Sequence, residues 1–275
     1  MQETVRSEAE KFAGKYNRAP GLAVILVGDN PASKVYVQAK TKNAALCKIR
    51  TFDAKLPADT SQSQLHATID KFNADPAVDG ILLQLPLPKG LDEFAAISRI
   101  APAKDVDGLH PETQGLLMRG GEGLIPCTPA GVIRLIEEAR AQLKLSPDLS
   151  GLRAAVLGRS LLVGKPVSLL LLARNCTVTM CHSRTVNLPE ICRQAEIIVA
   201  AIGQPQFLTA ESVKPGAIVI DVGINRTDSG TLVGDVHYEE VLKLAGAITP
   251  VPGGVGPMTI AMLLANTVRA AEKVQ

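Results

Sequence analysis

Short, continuously apolar runs alternate along the chain with longer stretches that mix apolar and polar residues. The first such run reads GLAVILVG from position 21, and the residues that follow it suit an amphipathic helix. Runs that stay apolar at every position are typical of strands buried on both faces of a parallel sheet. Their alternation with helices indicates β-α-β units, so the pattern predicts an α/β protein.

The same alternation predicts where the elements lie. In the first half we expect strands at 21–28, 50–55 and 80–85 and helices at 33–46 and 61–73. In the second half we expect strands at 154–157, 177–181, 197–201, 217–222 and 247–249. Thr128-Pro129 pairs an N-cap hydroxyl with a proline suited to the first helical position, so a helix is expected from there to 143. The last helix is expected to open at Pro257.

Composition narrows the class of protein. Hydrophobic residues make up 46% of the 275 residues and charged residues 20%, which excludes an intrinsically disordered chain. A net charge of +2 and an aromatic fraction of 3% argue against nucleic acid as a partner. No apolar run is long enough for a membrane span, and the start does not resemble a secretion signal. Five cysteines without a C-x-x-C pair predict reduced thiols, no metal site and a cytoplasmic location.

A glycine-containing turn in the second half is a candidate phosphate site. Strand 154–157 leads into Gly158-Arg159-Ser160, and Gly164 follows at the start of a helix. Free backbone N–H groups at such a turn favour a pyrophosphate, although a purely structural strand-to-helix turn has much the same sequence. The next strand ends in CHSRT from position 181, without the carboxylate that NAD-specific folds place there. Arg159 and Ser183 would suit a ribose phosphate, which favours NADP over NAD, the alternative being a solvated strand end.

Three polar residues of the first predicted helix share a face. Ser33, Tyr36 and Lys40 are spaced i, i+3 and i+7. A lysine beside a tyrosine is commonly a surface pair, but a desolvated amine becomes a usable acid or base. Gln84 interrupts an apolar strand end, where a buried amide needs partners. The Gln84 side chain therefore either forms hydrogen bonds with the backbone or orients the Lys40 amine.

Two further segments carry candidate residues. Lys104-Asp105-Val106-Asp107-Gly108 puts two carboxylates on one turn, and one of them is expected to be structural. Pro252-Gly253-Gly254-Val255-Gly256 leads into the last helix, where glycines allow the main chain to approach a ligand; a domain hinge is the alternative. Asp221, after another strand, is expected to satisfy nearby backbone donors.

Together these segments resemble the bifunctional methylenetetrahydrofolate dehydrogenase/cyclohydrolase family. The matching pieces occur in the family's order and cover nearly the whole chain: VGDNPAS from 27 with Tyr36 and Lys40, GILLQLPLP from 80, KDVDG from 104, GRS from 158 to GKP at 164, DVGINR from 221 and PGGVGPMT from 252.

The resemblance implies two domains with a cleft between them. Residues 1–127 plus 257–275 would form an α/β catalytic domain that binds folate, and residues 128–256 a Rossmann-type parallel-sheet domain that binds NADP. The implied activity is NADP-dependent oxidation of 5,10-methylenetetrahydrofolate to the methenyl form, followed by hydrolysis to 10-formyltetrahydrofolate. The implied partner is a folate substrate, and the implied assembly is a homodimer.

The resemblance also implies roles position by position. Lys40 matches the catalytic lysine, Gln84 the glutamine that tunes it, Tyr36 the aromatic that stacks on the aminobenzoate ring, and Asp107 the carboxylate that holds the pterin. The implied substrate contacts are Tyr36, Val37, Gln38, Ala39, Lys40, Leu83, Gln84, Leu85, Asp107, Pro252, Gly253, Gly254, Val255 and Gly256. The implied cofactor contacts are Gly158, Arg159, Ser160, Ser183 and Ile224.

Two rival functions use the same architecture. A shikimate- or amino-acid-dehydrogenase-like enzyme would act on a small acid, and a catalytically silent regulator would only bind the nucleotide. The proline-flanked Gln84 and the 252–256 loop argue against the first. The joint presence of Tyr36, Lys40, Gln84 and Asp107 argues against the second.

Overall fold

The computed structural model describes residues 1–227 and 229–273 and divides the chain into two compact units. Unit 1 comprises Met1–Cys127 with Ile260–Gln275, and unit 2 comprises Thr128–Thr259. The division falls inside the last helix. Among the described residues, no helix combines the length and apolar character that crossing a membrane would require.

Unit 1 is built on a three-stranded parallel sheet of order β2-β1-β3. The central strand is apolar and buried along its whole length, as its sequence predicts. Its elements are α1 Gln2–Tyr16, β1 Gly21–Val27, α2 Pro31–Leu46, β2 Arg50–Leu56, α3 Gln62–Ala74, β3 Gly80–Leu83, α4 Glu93–Arg99, a 3₁₀ turn Pro102–Lys104 and α5 Pro111–Arg119.

Unit 2 is built on a five-stranded parallel sheet of order β10-β7-β6-β4-β5, beside a small antiparallel β8-β9 hairpin. Its elements are α6 Cys127–Gln142 (whose first residue belongs to unit 1), β4 Arg153–Leu157, α7 Gly164–Leu172, β5 Thr177–Cys181, α8 Leu188–Arg193, β6 Ile197–Ala200, a 3₁₀ turn Ala210–Ser212, β7 Ile218–Asp221, β8 Asn225–Arg226, β9 Leu232–Val233, α9 Tyr238–Val241 and β10 Ala247–Ile248. The final helix, α10 Val255–Lys273, begins in unit 2 and ends in unit 1.

The inner strands of the larger sheet, β4, β6 and β7, are buried on both faces. Along β4, Ala154 and Val156 pack into one core cluster, while Ala155 and Leu157 pack into another. Successive strand residues point to opposite faces, so a strand covered on both sides must be apolar at every position. The apolar runs that predicted the strands are therefore explained by this double burial.

Several predicted boundaries are wrong, and helix α2 begins at Pro31, two residues before the expected start. β3 ends at Leu83, two residues before the expected limit, although the Gln84 N–H still donates to Ile25 O (2.9 Å). Helix α6 begins at Cys127, so Thr128 lies inside its first turn and its hydroxyl bonds the Thr259 hydroxyl (3.0 Å) instead of capping. Helix α10 begins at Val255, and its first turn accommodates Pro257 because N–H groups there have no acceptor within the helix.

Candidate functional site

Lys40 lies on the buried face of helix α2. The helix starts at Pro31, and the Asn30 side chain caps it by accepting the Ser33 N–H (3.1 Å). With this start, Ser33 and Lys40 face inward and are only 3% and 8% exposed, whereas Tyr36 lies at the edge of that face and is 36% exposed. Partial burial raises the pKa of the Tyr36 hydroxyl. A buried amine on an otherwise surface helix indicates a functional position.

Gln84 directly follows β3 and contacts that amine. Lys40 Nζ donates to Gln84 Oε1 (3.0 Å), and Gln84 Nε2 donates to Leu85 O (2.6 Å). Both alternatives that the sequence left open are therefore realised. The Gln84 amide nitrogen is anchored on a backbone carbonyl, and the Gln84 amide oxygen holds the Lys40 amine. The Lys40 nitrogen is fixed in position by this anchor.

The two carboxylates of the turn after the 3₁₀ segment differ in their surroundings. Asp105 is almost fully buried and accepts hydrogen bonds from Leu109 N, His110 N and Thr113 Oγ1, so it is the structural member of the pair. Burial raises the pKa of Asp107, and the positive charge of Lys40 opposes that rise. Lys40, Gln84 and Asp107 therefore meet in one place within unit 1.

Cys127 joins this group, and the sequence analysis did not single it out. Its thiol donates to Val106 O (3.1 Å), beside Asp107. Burial, with the nearby Asp107 charge, raises the pKa of the Cys127 thiol well above its ordinary value, so it is a neutral donor. Its position directly before Thr128-Pro129, at a helix start, is the sequence signal that could have drawn attention to it.

The other substrate contacts expected near Lys40 and Gln84 lie in the core of unit 1, at its edge or at the surface. Val37 and Leu83 are 5% and 4% exposed, and Leu85 packs against the unit 1 core. Gln38 is exposed and Ala39 is partly buried. The residues are close to Lys40 and Gln84 along the chain, but their burial differs.

The expected substrate loop 252–256 belongs to unit 2. Pro252 and Gly253 are exposed, and Gly253 has a positive φ of 106°. Gly254 is buried, and Val255 packs into a core cluster of the larger sheet. Gly256 lies in the first turn of α10 and is partly buried. The loop thus has an exposed tip and an anchored end.

A cavity of about 990 Å³ opens at the carboxyl ends of β4, β5 and β6 in unit 2. Gly158, Arg159, Ser160 and Ser183 all line it. Ile224 lies outside this lining and is 50% exposed. Ligands of open α/β sheets bind at this edge, so the cavity is a suitable nucleotide site.

The turn at the floor of the cavity admits only glycine at its ends. Gly158 has φ +110°, and a Cβ there would lie 2.1 Å from Ala201 O. A Cβ on Gly164 would lie 2.2 Å from Gly158 O. Between them, the Ser160 hydroxyl accepts the N–H groups of Val163 (3.1 Å) and Gly164 (3.4 Å). We call the Gly158–Gly164 turn the cradle, because it lies where dinucleotide-binding folds bind phosphates.

Asp221 holds the loops beside this sheet edge, as the sequence leads one to expect. Its carboxylate accepts N–H groups from Gly223, Asp235 and Val236, each at 2.9 Å. Burial nevertheless raises the pKa of Asp221 to about 6, because desolvation outweighs these three bonds.

Both parts of the chain match models of one protein family. Residues 1–107 match the family model described as the catalytic domain of tetrahydrofolate dehydrogenase/cyclohydrolase, and residues 126–275 match the model of its NAD(P)-binding domain. The bifunctional protein FolD of Acetivibrio thermocellus is 53% identical over 272 residues, which cover 99% of this chain and 93% of that protein.

Two solved structures are also similar over their whole length. The bifunctional enzyme FolD from Campylobacter jejuni superposes with a TM-score of 0.94 at 44% identity, covering 100% of this chain and 95% of the other. The FolD enzyme of Trypanosoma brucei, solved with NADP cofactor and an inhibitor, has a TM-score of 0.91 at 38% identity and covers 99% and 94%.

Proposed function

Because this chain belongs to the tetrahydrofolate dehydrogenase/cyclohydrolase family, we propose that it carries out both reactions of that name. It oxidises 5,10-methylenetetrahydrofolate to the methenyl cation with NADP, and it hydrolyses that cation to 10-formyltetrahydrofolate. The observation that carries this conclusion is the buried Lys40 amine held by Gln84 beside Asp107, inside the part matched by the catalytic-domain model. A surface lysine would have no need of such an anchor.

NADP fits the cavity of unit 2. The Gly158–Gly164 cradle suits the pyrophosphate, and β5 ends without a carboxylate that would repel a ribose phosphate. Among the described residues, the exposed Arg159 guanidinium makes no hydrogen bond or ion pair, so it is free to meet an anion. When bound, the nicotinamide accepts the hydride from the methylene carbon.

Substrate positioning is assigned to Tyr36 and Asp107. The half-buried Tyr36 ring offers a flat face on which the aminobenzoate ring stacks. Asp107 accepts hydrogen bonds from the pterin, with the neutral Cys127 thiol beside it. Hydride loss leaves a delocalised cation, so this step depends on orientation more than on a strong base.

Hydrolysis needs a group that both accepts and donates a proton, and Lys40 is that group. Water adds to the methenyl carbon and passes a proton to the amine. The carbon–N5 bond then breaks as N5 receives a proton from the ammonium, and the remaining hydroxyl proton is released to solvent as the C=O bond of the N10 formyl group forms. Gln84 keeps the Lys40 nitrogen in place through both transfers.

The proposal is tested by mixing protein with methylenetetrahydrofolate and NADP and following the absorbance of the methenyl product. We expect the absorbance to rise and then to decay as the product is hydrolysed, with no rise when NADP is omitted. No methenyl signal, together with nucleotide binding, would indicate the silent regulator. Oxidation of a small acid alone would indicate the other dehydrogenase class.

We further propose a homodimer formed through unit 2. Strand β5 is the edge of its sheet, and Thr177, Thr179 and Met180 along it are exposed. Leu172, at the end of the neighbouring α7, is 59% exposed. An unprotected edge with adjacent apolar side chains favours pairing with a second copy.

We also propose that the protein resides in the cytoplasm. All five cysteines are unpaired and buried. Thiols that remain reduced are typical of cytosolic proteins.

A further inference from the structure

The turn that follows β5 is braced by its own hydrogen bonds. Thr185 N donates to His182 O (2.8 Å), and His182 N donates to the Thr185 hydroxyl oxygen (2.8 Å). Arg184 N donates to His182 Nδ1 (3.1 Å). These three bonds close a ring around Ser183 and Arg184, and all of their donors and acceptors belong to the turn itself.

The braced turn is also tied to the phosphate cradle. The Gly158 N–H donates to the carbonyl of Cys181, the residue directly before the turn (2.9 Å). His182, Ser183 and Thr185 line the same cavity as Gly158 and Arg159. Ser183 and Arg159 are both exposed residues in the lining of that cavity, so both side chains can be reached by a ligand bound there.

This arrangement resembles a preformed site for a phosphate monoester. A hydroxyl and a guanidinium bind a phosphate well only if they are oriented beforehand, because ordering them on binding costs free energy. Within this cavity the acidic side chain is Glu211, which lies on the 3₁₀ turn after β6 and not at the end of β5. The turn itself therefore carries no charge that opposes a phosphate.

We propose that Thr185 is a positioning residue for cofactor selection: its hydroxyl fixes the 182–185 turn so that Ser183 recognises the ribose phosphate that distinguishes NADP from NAD. The inference rests on the proposed use of NADP. Thr185 acts through Ser183 and needs no contact with the cofactor. Its loss is therefore expected to affect only ligands that carry the extra phosphate.

The test compares 2′,5′-ADP with 5′-AMP by calorimetric titration of the parent, Thr185→Val and Thr185→Ser. Valine keeps the shape and branching of threonine but removes the hydroxyl, whereas serine keeps it. Thr185→Val is expected to bind 2′,5′-ADP about tenfold more weakly, which corresponds to about 1.4 kcal/mol, with 5′-AMP affinity unchanged. Thr185→Ser is expected to bind both ligands as the parent does.

Other outcomes separate the possible failures. A parent that binds 5′-AMP as tightly as 2′,5′-ADP contradicts the proposed use of NADP itself. If the parent prefers 2′,5′-ADP, two results for Thr185→Val overturn only the role of Thr185. Either the variant binds both ligands as tightly as the parent does, or its affinity for both falls by the same factor. Amide hydrogen exchange gives a check independent of any variant: in the ligand-free parent the His182 N–H must be protected, and rapid exchange there would overturn the preformed turn.

Discussion

Burial raises the pKa of single carboxyl groups in both units. Asp107 and Asp221 are both partly or fully removed from water, and burial raises the pKa of each. Their neighbours differ: Asp107 has the positive charge of Lys40 nearby, whereas Asp221 has three backbone N–H donors and the like charge of Asp235. The first arrangement suits a ligand-binding carboxylate, and the second suits a structural one.

The raised pKa of Asp221 makes a prediction about stability. A carboxyl whose pKa is higher in the folded state than in the unfolded state binds its proton more tightly when folded, so its contribution to stability falls as pH rises. From an ordinary value of 3.8 to about 6, the shift corresponds to roughly 3 kcal/mol. The free energy of unfolding of the parent minus that of Asp221→Asn should fall by this amount between about pH 4 and pH 7.

Urea denaturation at several pH values measures this difference, since asparagine does not titrate in the range. A difference that is independent of pH would mean that Asp221 has an ordinary pKa. A difference that grows with pH would mean that the three hydrogen bonds outweigh desolvation.

At the level of elements, helix α10 fastens the segments that carry the site of unit 1. Asn266 is 2% exposed, and its Nδ2 donates to Val106 O (2.9 Å) and Ile125 O (2.8 Å). The same nitrogen lies 3.6 Å from the Cys127 sulfur. These contacts flank Asp107 and Cys127, so one amide sets the spacing of two loops.

Asn266→Ala should therefore destabilise the protein by about 2 kcal/mol, because Ile125 O loses this donor and Val106 O keeps only the weaker Cys127 thiol. Thr267→Val is the matched control: Thr267 is equally buried on the same helix, but its hydroxyl donates only to Leu263 O within the helix. The midpoints of urea unfolding of the two variants check this. Equal costs for both would show that Asn266 does not bridge the loops.

The elements also show what the sequence could predict. Periodicity located the inner strands of both sheets, because strands buried on two faces must be apolar at every position. It misplaced the starts of α6 and α10 because helix starts depend on distant partners: Thr128 is bonded to Thr259, 131 positions away. The pairing of Lys40 with Gln84, 44 residues apart, likewise depends on the β1–β3 register, which a single sequence does not reveal.

Cys127 and Asn266 were missed for a related reason. Each is a single residue whose own type does not say which distant segment it contacts. Their partners, Val106 O and Ile125 O, are backbone groups, which have no signal in the sequence. The resemblance to a known family supplied roles for side chains that touch ligands, but not for those that support them.

At the level of the whole molecule, one chain combines a catalytic domain and an NAD(P)-binding domain. The proposed function divides the work between the units: the cradle and the braced turn of unit 2 would bind the nucleotide, whereas the amine of unit 1 would serve hydrolysis. The β5 edge is exposed in the single chain. The oligomeric state is therefore the property of the whole molecule that we test.

The parent should be a dimer in solution, and Met180→Lys should be a monomer, because a charged residue on an edge strand prevents pairing. Phe94→Lys, which changes an exposed apolar residue of unit 1, should remain a dimer. Light scattering coupled to size-exclusion chromatography gives the masses. A monomeric parent, or a dimeric Met180→Lys, would contradict the proposed interface.

The most direct test of the account is the rate of methenyltetrahydrofolate hydrolysis in Lys40→Met, with NADP affinity measured on the same sample. Methionine has a similar length but cannot transfer a proton, so hydrolysis should fall at least about hundredfold. NADP affinity should stay unchanged, and the exposed Lys42→Met should behave as the parent in both assays. Equal hydrolysis rates in Lys40→Met and the parent would contradict the central role of this amine.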